Sequence, residues 1–219
     1  MSGATTTLRK AASQSPRRSF SILNEKNAAI LRLALVNFVM GAAIRRIQQQ
    51  KEGQPTRKYS FLFHTEQAWK SHDWQEQVVT AIRDQLVGAA AKNDPRLDGI
   101  LKESFDDLKR SVTLGGGNIP DFATCAAAVR KVLTDGYLMI TKVNSDKDVA
   151  EVLDDKGQLK LRTPMNIYIG GQILDRGITI ANLIGFYYGR NPQKFQQDTV
   201  LQHSRVYGAR PKEDLPWAA

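Results

Sequence analysis

The segment NIYIGGQILDRGITIANLIGFYYGR, residues 166–190, is the strongest indication of the fold in the sequence. It joins two apolar runs, and strands that are apolar along their whole length are typical of parallel sheets covered on both faces. Between the runs, Gly170, Gly171 and Gly177 allow positive φ and close backbone approach. In α/β proteins, loops of this kind at the carboxyl end of a parallel strand bind phosphates and nucleotides. A tight connection between strands is the alternative interpretation of the two adjacent glycines.

Upstream of this segment, helical and β-prone stretches alternate along the chain. The predicted helices are 21–50, 66–90, one that starts at Asp94-Pro95 and one that opens at Asn118–Asp121 and ends at Gly136; the predicted strands are Tyr59–Phe63, Tyr137–Val143, Asn166–Ile169 and Leu183–Tyr188. Hydrophobic strands separated by helices predict an α/β fold with a mainly parallel sheet flanked by helices. We expect a single domain over residues 21–219.

Composition and charge limit the class of protein. The chain has 219 residues, of which 42% are hydrophobic and 24% charged, as in an ordinary globular protein. The single cysteine, Cys125, excludes an internal disulfide framework and a multi-cysteine zinc site, so we expect an intracellular, cytoplasmic protein. The net charge of +9 is concentrated in residues 1–58, which carry 11 Lys/Arg against two Glu. A polyanionic partner would therefore meet this segment first.

Two stretches near the start of the chain could be mistaken for targeting signals. Residues 1–20 are predicted to be a disordered basic tail, because they are rich in Ser, Thr, Ala and Arg and show no apolar period. Their composition also fits a transit peptide, but we favour a cloning-derived tail or a basic arm. Residues 28–44 are apolar but too short to span a membrane, and Arg32 and Asn37 interrupt them, so we expect a buried core helix.

A second segment with candidate chemistry is QDTVLQHSRVYGAR, residues 197–210. Here Gln202, Arg205 and Arg210 could lie along one helix and its exit loop. A guanidinium group donates bidentate hydrogen bonds to phosphate and can stabilise the charge of a transferring phosphoryl group. Taken alone, the pattern is also that of a solvated helix face with ordinary ion pairs.

Together, in this order, the two segments resemble motifs V and VI in the second RecA-like lobe of superfamily-two helicases. They more closely resemble the Z1 (Z-one) domain, a family associated with endonuclease function and found beside superfamily-two ATPase modules in bacterial restriction and defence proteins. The resemblance covers most of residues 25–215. The residues that carry it are Ile169-Gly170-Gly171, Leu174-Asp175-Arg176-Gly177-Ile178-Thr179-Ile180, Phe186-Tyr187-Tyr188, Asp198-Thr199-Val200-Leu201-Gln202-His203-Ser204-Arg205 and Gly208-Ala209-Arg210, with the helix end at 43–46 and the run YSFLFHT at 59–65. Asp175, Ser204 and Val206 replace the family's usual Ser, Gly and aromatic residue.

The resemblance implies a RecA-like three-layer fold that supplies one half of a DNA-dependent ATPase or translocase in a restriction or defence system. In such an enzyme, Arg205 or Arg210 would be the arginine finger, with Gln202 on the same helix. The residues that would face ATP and its Mg²⁺ at the joint with the other lobe are Asp175, Arg176 and Gly177.

The same resemblance implies contacts with DNA and with other proteins. The residues placed along the DNA backbone would be His64, Thr65, Gly170, Gly171 and Thr179. A lobe that carries the phosphate loop would precede this chain in a longer protein or belong to another subunit. A nuclease subunit or domain would act with it, and no membrane partner is expected.

Two other functions remain open on the sequence. The chain has no Gly-x-x-x-x-Gly-Lys-Ser/Thr phosphate loop, so we expect no ATPase activity from it alone, and a non-catalytic DNA- or protein-binding module is the main alternative. A metal-dependent nuclease could be assembled from Asp121 and Asp154–Lys156. However, these residues occupy a predicted helix start and a predicted polar turn rather than adjacent strands, so we predict no metal site.

The remaining reactive or aromatic side chains favour structural roles. Cys125 lies on a predicted helix among alanines and is expected to be a small buried hydrophobe. Trp69 and Trp74 could stack on a nucleobase, but their positions within a helix favour packing.

Overall fold

A computed structural model describes residues 29–64, 69–114, 118–143, 145–155, 157–170 and 180–188, and within the helix at 69–91 and the helix at 146–152 it leaves some side chains undescribed. The helices are α1 (Ala29–Lys51), α2 (Trp69–Ala91), α3 (Pro95–Leu114), α4 (Phe122–Thr134) and α5 (Asp146–Val152), and the strands are β1 (Tyr59–His64), β2 (Leu138–Val143), β3 (Met165–Gly170) and β4 (Leu183–Tyr188). Every predicted helix and strand is found where the structure describes it. The predicted tail at 1–20 lies outside the described residues.

One helix, α5, was not predicted from the sequence. It has seven residues and begins with a capping box, in which the Ser145 side chain accepts from the Asp148 backbone while the Asp148 side chain accepts from the Ser145 backbone. A helix of two turns is too short for apolar periodicity to reveal it. The turn predicted at 154–157 follows it, with Gly157 at a φ of 72°.

The four strands form an all-parallel sheet in the order β2-β3-β1-β4. Strands β1 and β3 pair along their full length, from Tyr59 opposite Met165 to His64 opposite Gly170. The mainly parallel α/β sheet predicted from the sequence is confirmed, and the arrangement is consistent with a RecA-like three-layer fold.

The side chains of the sheet alternate between two apolar clusters, one on each face. Phe61 and Phe63 lie in the larger cluster with residues of α1 to α4. Leu62 and Tyr168 lie in the smaller cluster with Val152 of α5. Because the side chains of successive strand residues point to opposite faces, helices cover both sides of the sheet.

Helix α1 is a core helix, as predicted. Phe38 and Ile44 are fully buried, and the Phe38 ring centroid lies 5.4 Å from that of Phe61. Its polar interruption, Asn37, is buried against α3, where its Nδ2 donates to Asp107 Oδ2 at 2.9 Å. No helix in the described ranges is both long and apolar enough to cross a membrane.

Candidate functional site

A crevice is expected where β1 and β3 end, because the described residues that the chain reaches next after each strand pack on opposite faces of the sheet. After β1 it enters α2, whose Val79 and Ile82 pack in the larger cluster. After β3 it reaches Ile180, which packs in the smaller cluster. Such a divergence at the carboxyl ends of adjacent parallel strands is a topological switch point, where open α/β sheets bind their ligands.

His64 and Gly170 are the two residues that end these strands, and they are partners in the register. The His64 side chain is fully buried, and its ring centroid lies 6.2 Å from that of Phe186 on β4. Gly170, the last residue of β3, lies beside it and has no side chain. The carboxyl end of the sheet therefore combines a buried imidazole with a buried glycine backbone.

A β-bulge in β4 sets which aromatic rings reach this end of the sheet. Ser60 pairs with Leu183, but the next β1 residue, Phe61, pairs with Gly185, so one extra residue is inserted in β4. Bulges re-aim the side chains that follow them. Here Phe186 comes beside His64, while Tyr187 reaches the other face.

The ring of Tyr187 stacks on Phe63, with centroids 4.8 Å apart and an interplanar angle of 25°. Burial raises the pKa of the Tyr187 phenol above its usual value. The aromatic run that the sequence analysis connected to the Z1 family therefore covers the carboxyl end of β1 from both faces.

Gly185 is required by close packing rather than by a turn. A Cβ atom at this position would lie 2.2 Å from Cδ2 of the buried Phe61 ring. The sequence analysis did not identify Gly185, although a glycine inside a strand pattern is a recognised signal for a bulge or a close approach.

Of the residues predicted to contact DNA or nucleotide, the structure describes two, His64 and Gly170, and it brings them together. The other predicted site residues lie outside the described residues: Thr65, Gly171, Asp175, Arg176, Gly177, Thr179, Gln202, Arg205 and Arg210. Their roles stay predictions.

The carboxylates considered for a nuclease site serve local structure. Asp121 is the N-cap of α4 and accepts from the Thr124 backbone N–H at 2.9 Å. Asp154 accepts from the Gln158 backbone N–H at 2.8 Å within the turn after α5. The predicted positions at a helix start and in a turn are confirmed. Among the residues with described side chains, no three His, Cys, Asp or Glu groups cluster in a way that could hold a metal ion.

Cys125 has the structural character that the sequence predicted. It is fully buried on α4, and its Sγ lies 3.8 Å from the Pro120 carbonyl oxygen. Burial raises its pKa to about 11, so the thiol stays protonated at neutral pH and lacks the thiolate that nucleophilic chemistry needs. The side chains of Trp69 and Trp74 lie outside the described residues.

At the opposite end of the sheet, where the strands begin, neutral polar side chains form hydrogen bonds within the protein. The buried Asn166 accepts from the Arg162 and Thr163 backbone N–H groups at 3.0 and 3.2 Å and donates to the Tyr59 and Thr163 carbonyls at 3.2 and 2.7 Å. Ser60 Oγ donates to the Ala181 carbonyl at 2.8 Å. This network was not predicted from the sequence, and the bonds that join it to β1 and to the segment before β4 link residues more than 100 positions apart.

Comparison with known proteins gives one match. A family model described as the Z1 domain matches residues 30–215. No match was found among curated proteins or among solved structures. The matched range contains both strands that form the crevice and all the predicted site residues.

Proposed function

Because this chain belongs to the Z1 domain family, we propose that it is the second lobe of a DNA-dependent ATPase or translocase, of the superfamily-two type, in a restriction or defence system. The observation that carries the proposal is the switch point between β1 and β3. It pairs His64 with Gly170 at the carboxyl end of the sheet. Gly170 belongs to the block that resembles the helicase-type lobe, and His64 belongs to the strand that resembles the Z1 family pattern. The parallel sheet with helices on both faces supports the same assignment.

In this proposal, the crevice contacts the phosphate backbone of DNA. The segments that follow His64 and Gly170 supply backbone N–H groups, together with the Thr65 and Thr179 side chains and the Gly171 backbone. Contacts of this kind position a protein on nucleic acid without reading its sequence. Their strength falls as salt rises, because each neutralised phosphate releases counterions.

The nucleotide is proposed to be shared with a second lobe. This chain has no phosphate loop, so the partner lobe supplies the residues that hold the β- and γ-phosphates and Mg²⁺. The residues of this chain that would face the nucleotide are Asp175, Arg176 and Gly177. Arg205 or Arg210, with Gln202, would stabilise the negative charge that develops on the transferring phosphoryl group.

The test is ATP hydrolysis by this chain, by its phosphate-loop partner lobe and by the two together, with and without DNA. We expect DNA-stimulated turnover only from the pair. In that pair, alanine at the position of the finger, Arg205→Ala or Arg210→Ala, should lower turnover by roughly 10³-fold while DNA binding and thermal stability stay unchanged. DNA-stimulated turnover by the isolated chain would contradict the proposal, as would wild-type turnover of both variants in the pair.

The absence of a phosphate loop from the sequence also favours a second candidate, a DNA- or protein-binding module without a catalytic role. This candidate predicts DNA binding at the crevice with no change in ATP hydrolysis when any phosphate-loop subunit is added. The turnover experiment separates the two functions.

A further inference from the structure

The end of the sheet where the strands begin, here called the amino edge, carries a group of exposed cations. Its neutral polar groups are engaged within the protein, as with Asn182, whose Nδ2 donates to the Lys58 carbonyl at 2.9 Å. The backbone is engaged too, since the Tyr59 N–H donates to the Pro164 carbonyl at 2.9 Å. The exposed acidic residue before β2, Asp135, is paired with Lys131 at 2.8 Å.

Three exposed cations lie together there, and they are called the amino-edge basic surface: Lys58, Lys160 and Arg162. Lys58 Nζ lies 2.8 Å from the Leu161 carbonyl oxygen and 3.3 Å from that of Arg162, which joins the start of β1 to the segment before β3. These contacts place the side chains of the surface around one short stretch of chain.

Electrostatics at the neighbouring Tyr168 supports the same grouping. Its hydroxyl donates to the Lys160 carbonyl at 2.5 Å. Burial raises the pKa of this phenol to about 12, and the opposing influence is the positive charge of Arg162. The charge of Arg162 is therefore felt at Tyr168, whose hydroxyl is bonded to the Lys160 backbone.

Further positive charge adjoins the surface. Arg46 at the end of α1 donates to the Arg57 carbonyl at 2.5 Å, directly before Lys58. The acidic residues on the same segments are Glu52, Asp154 and Asp155, and Asp154 accepts from the Gln158 backbone. Guanidinium and ammonium groups gathered in this way suit phosphate oxygens, which accept several charge-assisted hydrogen bonds at once.

We propose that the amino-edge basic surface is a second phosphate-backbone contact for DNA, at the end of the sheet opposite the crevice. The choice of DNA as the polyanion rests on the proposed function, whereas the surface itself rests on the contacts of Lys58, Lys160 and Arg162. A lobe that holds DNA at both ends of its sheet would bind it along a longer path than the crevice alone provides.

The test measures fluorescence anisotropy of a labelled duplex oligonucleotide of mixed sequence with the full chain, between roughly 50 and 200 mM salt. The variant is Lys160→Gln/Arg162→Gln, because these two side chains are exposed. The matched control is Lys92→Gln/Lys109→Gln, which removes the same charge from exposed positions at the α2–α3 turn and on α3. A third change, Lys58→Gln, removes the last of the three charges of the amino-edge basic surface. Thermal melts verify that each variant is folded.

We expect the variant to bind DNA about tenfold more weakly at low salt and to lose roughly two units from the slope of log affinity against log salt, while the control changes little. Equal losses in variant and control would overturn the proposal, since net charge alone would then explain them. Full binding by a folded variant would also overturn it. Polyglutamate that binds the chain more tightly than the duplex does at equal charge concentration would overturn DNA as the occupant in favour of an acidic protein.

Failure here is separable from failure of the proposed function. Suppose that the Lys160→Gln/Arg162→Gln change leaves both DNA affinity and the DNA-stimulated ATP hydrolysis of the two-lobe pair unaltered. That result would contradict the second DNA contact and support the ATPase assignment. Weakened DNA binding in the variant without any stimulated hydrolysis keeps the contact and removes the assignment.

Discussion

The two ends of the parallel sheet use the same strands for different purposes. At the amino edge, Ser60 and Asn166 are tied into hydrogen bonds that fix the starts of the strands. At the carboxyl end, β1 and β3 finish with His64 opposite Gly170, and aromatic rings on β4 flank the strand end. Polar side chains at the amino edge therefore stabilise the fold, whereas the carboxyl end places a glycine backbone and a buried imidazole at a switch point.

Removing the glycine of the bulge should give the largest effect, because it disturbs the packing on which the carboxyl end depends. Gly185→Ala places a methyl group 2.2 Å from the Phe61 ring, which is buried and has no room to move. We expect the free energy of unfolding to fall by about 3 kcal/mol, measured by urea denaturation.

The control for this change is Gly99→Ala on α3, where nothing lies within 4 Å of the added Cβ. Alanine is the better helix former, so we expect this variant to be more stable by up to about 1 kcal/mol. A Gly185→Ala protein as stable as the wild type would contradict the requirement for a glycine at this contact with Phe61.

Breaking the amino-edge network should have the next largest effect. Asn166→Ala leaves buried backbone N–H and carbonyl groups of Arg162, Thr163 and Tyr59 without their side-chain partner. Unsatisfied buried groups of this kind cost roughly 1–3 kcal/mol, so we expect a loss of about 2 kcal/mol in urea denaturation. Alanine at the exposed Asn118 serves as the matched control and should change stability by less than about 0.5 kcal/mol.

The sharper form of this prediction concerns binding. If the amino-edge network only holds the fold, Asn166→Ala should lower stability and leave DNA affinity unchanged at a temperature where the variant is folded. An Asn166→Ala variant that is fully stable but no longer binds DNA would contradict this assignment, because Asn166 would then act in DNA binding and not in stabilising the fold.

A smaller effect is expected at alkaline pH from Tyr168. Its pKa is raised to about 12 in the folded protein from a usual value of 10, so the unfolded chain releases this proton first as pH rises. The contribution of this group to the free energy of unfolding is therefore fully present below pH 10 and is lost as the pH rises from 10 to 12. At pH 11 the loss should be about 1 kcal/mol.

The comparison protein for this measurement is Tyr168→Phe, which lacks the titrating hydroxyl and its hydrogen bond to the Lys160 carbonyl. Its unfolding free energy should fall less steeply above pH 10 than that of the wild type. Cys125, with a raised pKa of about 11, remains in both proteins and cancels in the difference. Parallel pH profiles would contradict the assignment to Tyr168.

The sequence predicted the parts of the fold that local patterns encode. Continuous apolar runs located β1 and β4, and Asp121 and Gly136 marked the start and end of α4 because a cap and a positive φ depend on neighbouring residues. The short helix α5 was beyond such patterns. So was the strand order, since apolar runs carry no information about which strands pair.

The candidate site was predictable only in part, for a related reason. His64 and Gly170 were named because the family resemblance implies their roles, but their pairing follows from the register of β1 with β3. Gly185 is needed because of Phe61 on another strand, and Asn166 bonds to the Tyr59 carbonyl, 107 positions away. A glycine within a strand pattern signals a close approach, but nothing local identifies the distant residue that it approaches.

The most direct test of the central claim, that the carboxyl end of the sheet is the DNA site, is amide hydrogen exchange with and without duplex DNA. It should be measured on Lys160→Gln/Arg162→Gln, which removes the contribution of the amino-edge basic surface. We predict slower exchange in peptides spanning 64–68 and 170–179 when DNA is bound, with no change in the peptide that contains Asn182. Protection confined to residues 1–28, with 64–68 and 170–179 unchanged, would contradict the claim.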